Sequence, residues 1–167
     1  NKMSLAELYL FDSDTIIDTK DKLTTEAEEV LNYAMWSSEP IPFDAMEIAI
    51  HEAYSNFESE DERPFFKLVH EYPLGGKPPM MTHVFENESG KKIIAAKGAP
   101  EALIEVSHLS EVEKNQVLNA MKTMTSKGFR VLGVGVSDFE GTDYPVTQQE
   151  LKFHFKGLVA FYDPPKH

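Results

Sequence analysis

Lys97-Gly98-Ala99-Pro100-Glu101 turns a strand into a helix in five residues. Lys92 to Ala96, short and apolar at its centre, predicts the strand. Pro100 has φ already near the helical value and no N–H to satisfy, so it suits the first position of a helix through Val106. Gly98 is the joint between them. Upstream, Phe66 to Tyr72 and Met80 to Glu86 alternate as strands, and Glu88-Ser89-Gly90-Lys91 predicts a hairpin turn leading back to Lys92. Downstream, Ser110 with Glu113 predicts a capping box for a helix with the face Val117, Met121 and Met124, which Gly128 stops. Phe129 to Val136 and Phe153 to Tyr162 supply two more strands.

The N-terminal part extends the same pattern. Met3 to Phe11 reads as a strand that ends in the acidic turn Asp12-Ser13-Asp14. A helix follows from about Thr25, with the stripe Ala27, Val30, Leu31, Ala34, Met35 and a capping box of Thr25 with Glu28. A second starts near Asp44 and shows Met46, Ala49, Ile50, Ala53 and Tyr54 on one face. The charged stretch Glu58 to Arg63 is a solvated loop. The sum is α+β: an antiparallel β-sheet flanked by helical hairpins, one domain over residues 1–167.

Composition narrows the function classes. A chain of 167 residues with 41% hydrophobic content buries roughly 70% of its unfolded surface. No run approaches the roughly 20 apolar residues of a membrane-spanning helix, so a water-soluble segment is predicted. Without cysteine there is no disulfide framework and no thiolate metal site. A formal charge of −12 argues against nucleic acid and anionic membrane surfaces as partners. It also means that any anionic ligand needs a local cluster of cations.

Several familiar motifs fail on inspection. Gly75-Gly76-Lys77 lacks the earlier glycine and the following Ser/Thr of a phosphate-binding loop, since Glu71 and Pro78 stand there. Gly133-Val134-Gly135 has Asp138 in place of a dinucleotide fingerprint's third glycine. Asp12, Asp14 and Asp18 lack the glycine and terminal glutamate of a calcium loop and are assigned to turns and caps. The six histidines show no ligand spacing. His70 and His83 on neighbouring strands read as ordinary sheet residues, and no metal ligands or catalytic residues are assigned.

Three motifs in order survive: Asp44-Ala45-Met46-Glu47, Lys97 to Glu101, and Lys127-Gly128-Phe129-Arg130-Val131-Leu132. The first resembles Asp-Pro-x-Glu, the second matches Lys-Gly-Ala-Pro-Glu, and the third resembles the glycine-arginine strand start of the nucleotide-binding (N) domain of P-type cation-transporting ATPases. In that family the N domain lies between the phosphorylation motif Asp-Lys-Thr-Gly-Thr-Leu-Thr and a returning Asp-Pro-Pro-Arg/Lys hinge. Asn1-Lys2-Met3 looks like the residues after the former, and Asp163-Pro164-Pro165-Lys166 like the latter. The resemblance thus covers essentially the whole chain, with hinge remnants expected at about residues 1–3 and 163–167. Lys-Gly-Ala-Pro-Glu points to the cation-pump branch, because the His-Pro pair of the heavy-metal branch is not found.

The resemblance implies roles, and each residue also has a plainer explanation. Glu47 would reach the adenine; with Asp44 it has the spacing of a helix cap, and the two roles are compatible. Lys97 could snorkel as a strand-end lysine, whereas beside Gly98, which permits close approach, it suits a purine or an anion. Arg130 could pair with a carboxylate, whereas the family aims it at the phosphates. The stretch Glu71 to Thr82 departs most. Leu74 stands where the family usually has an aromatic for stacking on adenine, and Pro78-Pro79 where it has a basic pair; Lys77 could supply one of those charges. Stacking contributes roughly 1–3 kcal/mol per base, so weak binding is expected.

The resemblance therefore implies a domain that binds ATP through Glu47, Leu74, Lys77, Lys97, Gly98 and Arg130, as Mg-ATP with the magnesium held mainly by another domain. It would present the ATP for in-line phosphoryl transfer to an aspartate of a separate domain, driving ion transport. No Asp-Lys-Thr-Gly occurs in the chain, so this polypeptide should not hydrolyse ATP alone. Its partners would be the phosphorylation and actuator domains of a parent membrane protein. The domain itself would be monomeric, at the cytoplasmic face, without membrane contact. The competing expectation is a degenerate N domain acting as a spacer or regulatory interaction module with nucleotide binding lost, motivated by Leu74, Pro78 and Pro79.

Overall fold

The computed structural model describes residues 2–165. Seven strands form one sheet: β1 (Ser4–Leu10), β2 (Thr15–Asp18), β3 (Phe66–Gly75), β4 (Met80–Asn87), β5 (Lys92–Gly98), β6 (Arg130–Ser137) and β7 (His154–Tyr162). Their spatial order is β2-β1-β7-β6-β5-β4-β3, and every pairing is antiparallel. Four helices complete the fold: α1 (Thr25–Trp36), α2 (Ala45–Phe57), α3 (Pro100–Val106) and α4 (Glu111–Ser126). The predicted α+β class is the observed one.

Alternation along the strands builds two cores, one on each face of the sheet. Leu5, Leu8, Phe85, Ala95, Val134 and Phe161 meet α1 and α2 through Val30, Leu31, Ala49 and Ile50. Trp36 seals this side against Phe85 and Phe66, with ring centroids 4.9 and 5.1 Å away. The opposite face sets Tyr9, Met80, Ile94, Ala96 and Leu158 against Leu103, Val117 and Met124 of α3 and α4.

Local chemistry explains the element ends. Thr24, not Thr25, caps α1 by accepting from the Ala27 N–H at 3.2 Å. The expected Thr25–Glu28 box is therefore not formed: Thr24 is the last residue in extended backbone, and three residues on from it stands Ala27, which has no side-chain acceptor to reach back. Ser110 and Glu113 close a full capping box on α4, as expected. The turn after β4 forms with Gly90 at φ 84°, a conformation that glycine adopts without strain. Two features were not anticipated. β2 adds a four-residue edge strand after the Asp12–Asp14 turn, and β3 runs on through Pro73 to Gly75.

Ser4 pairs with Tyr162, so the backbone enters and leaves the sheet side by side. Asp163, Pro164 and Pro165 follow β7 outside any regular element, with Asp163 and Pro165 exposed. Asn1, Lys166 and His167, to which the hinge expectation also extends, lie outside the described residues.

Candidate functional site

The α1–α2 face carries Glu47, Lys97 and Arg130, three of the six residues singled out from the sequence. Asp44 caps α2, and its Oδ1 accepts from the Glu47 N–H at 2.9 Å. The Glu47 carboxylate does not fold back to complete a box. Instead Oε2 lies 2.8 Å from Lys97 Nζ and accepts from the Glu39 N–H at 3.1 Å. Both side chains are almost wholly enclosed, at 2% and 7% exposure. Lys97 also directs its ammonium at Met81 Sδ, 3.0 Å away. It is thus a buried, paired cation rather than a snorkelling one.

Arg130 reaches the same face by register. Residues directly paired across a sheet share a face, and Arg130 pairs with Phe161, a member of the core under α1 and α2. Lys97 pairs with Val134, also of that core. Four residues of β6 separate the two pairs, roughly 13 Å at about 3.3 Å per residue. The Arg130 side chain is exposed. No described carboxylate lies within ion-pair distance of it, so the structural pairing considered from the sequence is not formed among the described residues.

Gly98 is bare because β4 leaves no room. A Cβ there would sit 2.4 Å from Pro79 O and 2.6 Å from Met80 Cα. Leu74 lies where the β3–β4 ladder shifts register between Tyr72 and Gly75, and its side chain is 65% exposed. Lys77 is not brought to the same place. It lines a separate cleft of about 230 Å³ with Ala102, Glu105 and Val106 of α3, on the other face of the sheet.

One residue that sequence reasoning missed holds this hairpin in shape. Gln148, 4% exposed, accepts from the Thr82 hydroxyl at 2.7 Å and donates to Met80 O at 2.8 Å. It sits in a one-turn 3-10 helix closed by Thr147 and Glu150. That Thr-x-x-Glu spacing was the available signal.

Around Glu39 the neutral form of a histidine is built in. His51 Nε2 donates to Glu39 O at 3.1 Å, and Nδ1 accepts from Arg63 Nη1 at 3.0 Å. Burial and the Arg63 guanidinium push the His51 pKa below its ordinary value.

The α1–α2 face thus holds the buried Glu47–Lys97 pair and, four β6 residues from Val134, the Arg130 guanidinium, which makes no ion pair among the described residues. Those are groups that a base with an exocyclic amine, joined to a polyanion, would need. No helix among the described residues is long and apolar enough to cross a membrane.

Comparison with known proteins follows the same line. A family model described as P-type ATPase, cytoplasmic domain N, matches residues 41–167. The sodium/potassium exporting P-type ATPase cta3 of Schizosaccharomyces pombe is 30% identical over 133 residues, covering 72% of this chain and 13% of that protein. Calcium-transporting ATPase 1 of Saccharomyces cerevisiae is 28% identical over 169 residues, covering 88% and 18%. Calcium-transporting ATPase 1 of Bacillus cereus is 25% identical over 187 residues, covering 99% and 21%. The chain thus spans about a fifth or less of these relatives' length.

Proposed function

The chain belongs to the family of P-type ATPase cytoplasmic N domains, and from that premise we propose that it is the ATP-binding domain of a cation-transporting ATPase. It would hold the adenine against Glu47, Lys97 and Leu74 and direct the phosphates toward Arg130. The aspartate that accepts the phosphoryl group would stand in a separate domain of the same parent chain, at the cytoplasmic side of a membrane. Positioning is then this domain's contribution to catalysis, and magnesium would be held mainly by the other domain.

The observation that carries the reading is the shared face of Glu47, Lys97 and Arg130, with the Lys97–Glu47 contact at 2.8 Å. It supports a nucleotide laid along the sheet with base and phosphates at opposite ends. The side-by-side entry and exit of the chain at Ser4 and Tyr162 supports an inserted domain that moves on two adjacent strands, with Asp163, Pro164 and Pro165 as one hinge segment. Lys77, on the other face, is proposed to make at most a peripheral contact from its flexible stem.

The test is an ATP titration followed by NMR on the purified chain. Shifts centred on Glu47, Leu74, Lys97 and Arg130 are expected, with an affinity reduced at least tenfold by Arg130→Ala. An unperturbed spectrum at millimolar ATP would reject the proposal in favour of the degenerate spacer or regulatory module, for which the prior pairing of Lys97 with Glu47 is the favouring observation.

A further inference from the structure

His83 has no solvent exposure, and its two ring nitrogens face different chemistry. Nδ1 lies 2.8 Å from Ser37 O. A carbonyl oxygen only accepts, so Nδ1 carries the hydrogen and donates it. In the neutral ring that leaves the Nε2 lone pair pointing at two carboxylates, Glu71 Oε2 at 3.3 Å and Glu39 Oε1 at 3.6 Å. Nε2 makes no hydrogen bond among the described residues. A lone pair facing two anionic oxygens in a buried position is repulsive unless a positive charge stands between them.

We propose that Glu39, Glu71 and His83 form a binding site for a divalent cation of the zinc class. One atom from each residue falls within 4.8 Å of the others. Ligands set tetrahedrally at about 2.0–2.2 Å from an ion are separated by roughly 3.3–3.6 Å, which is the spacing of Nε2 from both oxygens. Neither distance, by contrast, is that of a charge-assisted hydrogen bond. Imidazole whose second nitrogen donates to a backbone carbonyl is the usual presentation of a metal-binding histidine. Donors of one nitrogen and two oxygens suit zinc better than calcium or magnesium, which take all-oxygen shells.

Each ligand comes from a different element. Glu39 follows α1, Glu71 belongs to β3, and His83 pairs with Glu71 from β4. The ion would therefore staple the α1–α2 connection onto the edge of the sheet. Glu39 also donates its N–H to Glu47, so the staple adjoins the proposed nucleotide contacts while not depending on them. His70, the other histidine of these two strands, stacks on Tyr144 with ring centroids 4.5 Å apart.

The test titrates the intact chain with Zn²⁺ against a chromophoric chelator, beside Glu71→Gln and Glu39→Gln, whose partly exposed side chains can be changed without opening the core. One ion per chain is expected in the parent, with binding weakened at least tenfold in each variant. In ¹⁵N NMR the His83 Nε2 resonance should move on Zn²⁺ addition while Nδ1 keeps its hydrogen. Binding unchanged within twofold in both variants would place the ion elsewhere and overturn the proposal. So would a His83 ring that stays doubly protonated at saturating Zn²⁺, because the two carboxylates would then be holding an imidazolium.

Discussion

Glu47 and Lys97 show how a residue can be singled out from sequence while its environment stays hidden. The Lys-Gly-Ala-Pro-Glu string marks Lys97, but nothing in it says that the ammonium is enclosed at 7% exposure against a carboxylate from α2. That burial has a measurable consequence. Lys97→Met alone strands the Glu47 carboxylate in the interior with only the Glu39 N–H to satisfy it, and breaking such a pair costs about 3–5 kcal/mol. Urea denaturation should show that loss, and the double variant Glu47→Gln/Lys97→Met should recover most of it. Equal losses in the single and double variants would mean that the pair is not what stabilises the region. Glu58 offers the opposite case. Burial, with Glu28 and Glu62 nearby, raises its pKa above the ordinary value, and its Oε1 has no hydrogen-bond partner among the described residues. A carboxylate raised in the folded state binds a proton more readily than in the unfolded chain, so its contribution is fully present below the unfolded pKa and is lost as pH rises through the raised folded one. Glu58→Gln is therefore expected to be stabilising at pH 7, by less than about 1 kcal/mol. The advantage should fade by pH 4, as measured by thermal melts across that range.

At the scale of elements, legibility followed periodicity. β4 and β5, covered on both faces, could be placed as short apolar runs between turn signals, and helices with a stripe and a cap (α2, α4) because there one face is buried and the pattern records it. β2 could not. Its Ile16 and Ile17 are adjacent and pack toward opposite cores, so no alternation shows in four residues. β3 was expected to stop before Pro73, yet an edge strand tolerates proline on its unpaired side, and β3 is the outermost strand. The hairpin that follows carries Leu74 and Lys77, and its shape depends on a residue 66 positions away in sequence, Gln148 bonded to Thr82. Single-sequence patterns do not see contacts of that range, which is why the register of Tyr72 to Thr82 was the least legible part of the site. Gln148→Ala should leave the Thr82 hydroxyl and Met80 carbonyl short of partners, lowering stability by about 1–3 kcal/mol. Amide exchange should speed up selectively in Leu74 to Met81. A uniform increase across all seven strands would show instead that Gln148 supports the global fold rather than this hairpin.

At the scale of the whole molecule, charge and local chemistry pull against each other. The chain carries 28 acidic and 16 basic residues, and ATP is itself a polyanion. Screening decides which of the two a ligand feels. At about 0.01 M salt the Debye length is about 30 Å, so the ligand interacts with the entire acidic body; at about 0.15 M it is about 8 Å, and only the nearest groups count. Those nearest groups, on the proposed reading, are the Glu47–Lys97 pair, whose two charges cancel, and the exposed Arg130. Raising salt over this range should therefore remove long-range repulsion before it weakens the Arg130 contact. ATP affinity measured by calorimetry is expected to rise severalfold between low and physiological ionic strength, then fall as the salt is taken further. In Arg130→Ala the rise should persist and the later fall should flatten, since the exposed cation that high salt screens is gone. Leu74→Phe should strengthen binding about tenfold or more at every salt concentration, because stacking on an aromatic face carries no charge to screen. A steep, monotonic loss of affinity from the lowest salt upward would contradict this picture. It would mean that surface cations other than Arg130 hold the nucleotide, and that the shared face of Glu47, Lys97 and Arg130 is not where it binds.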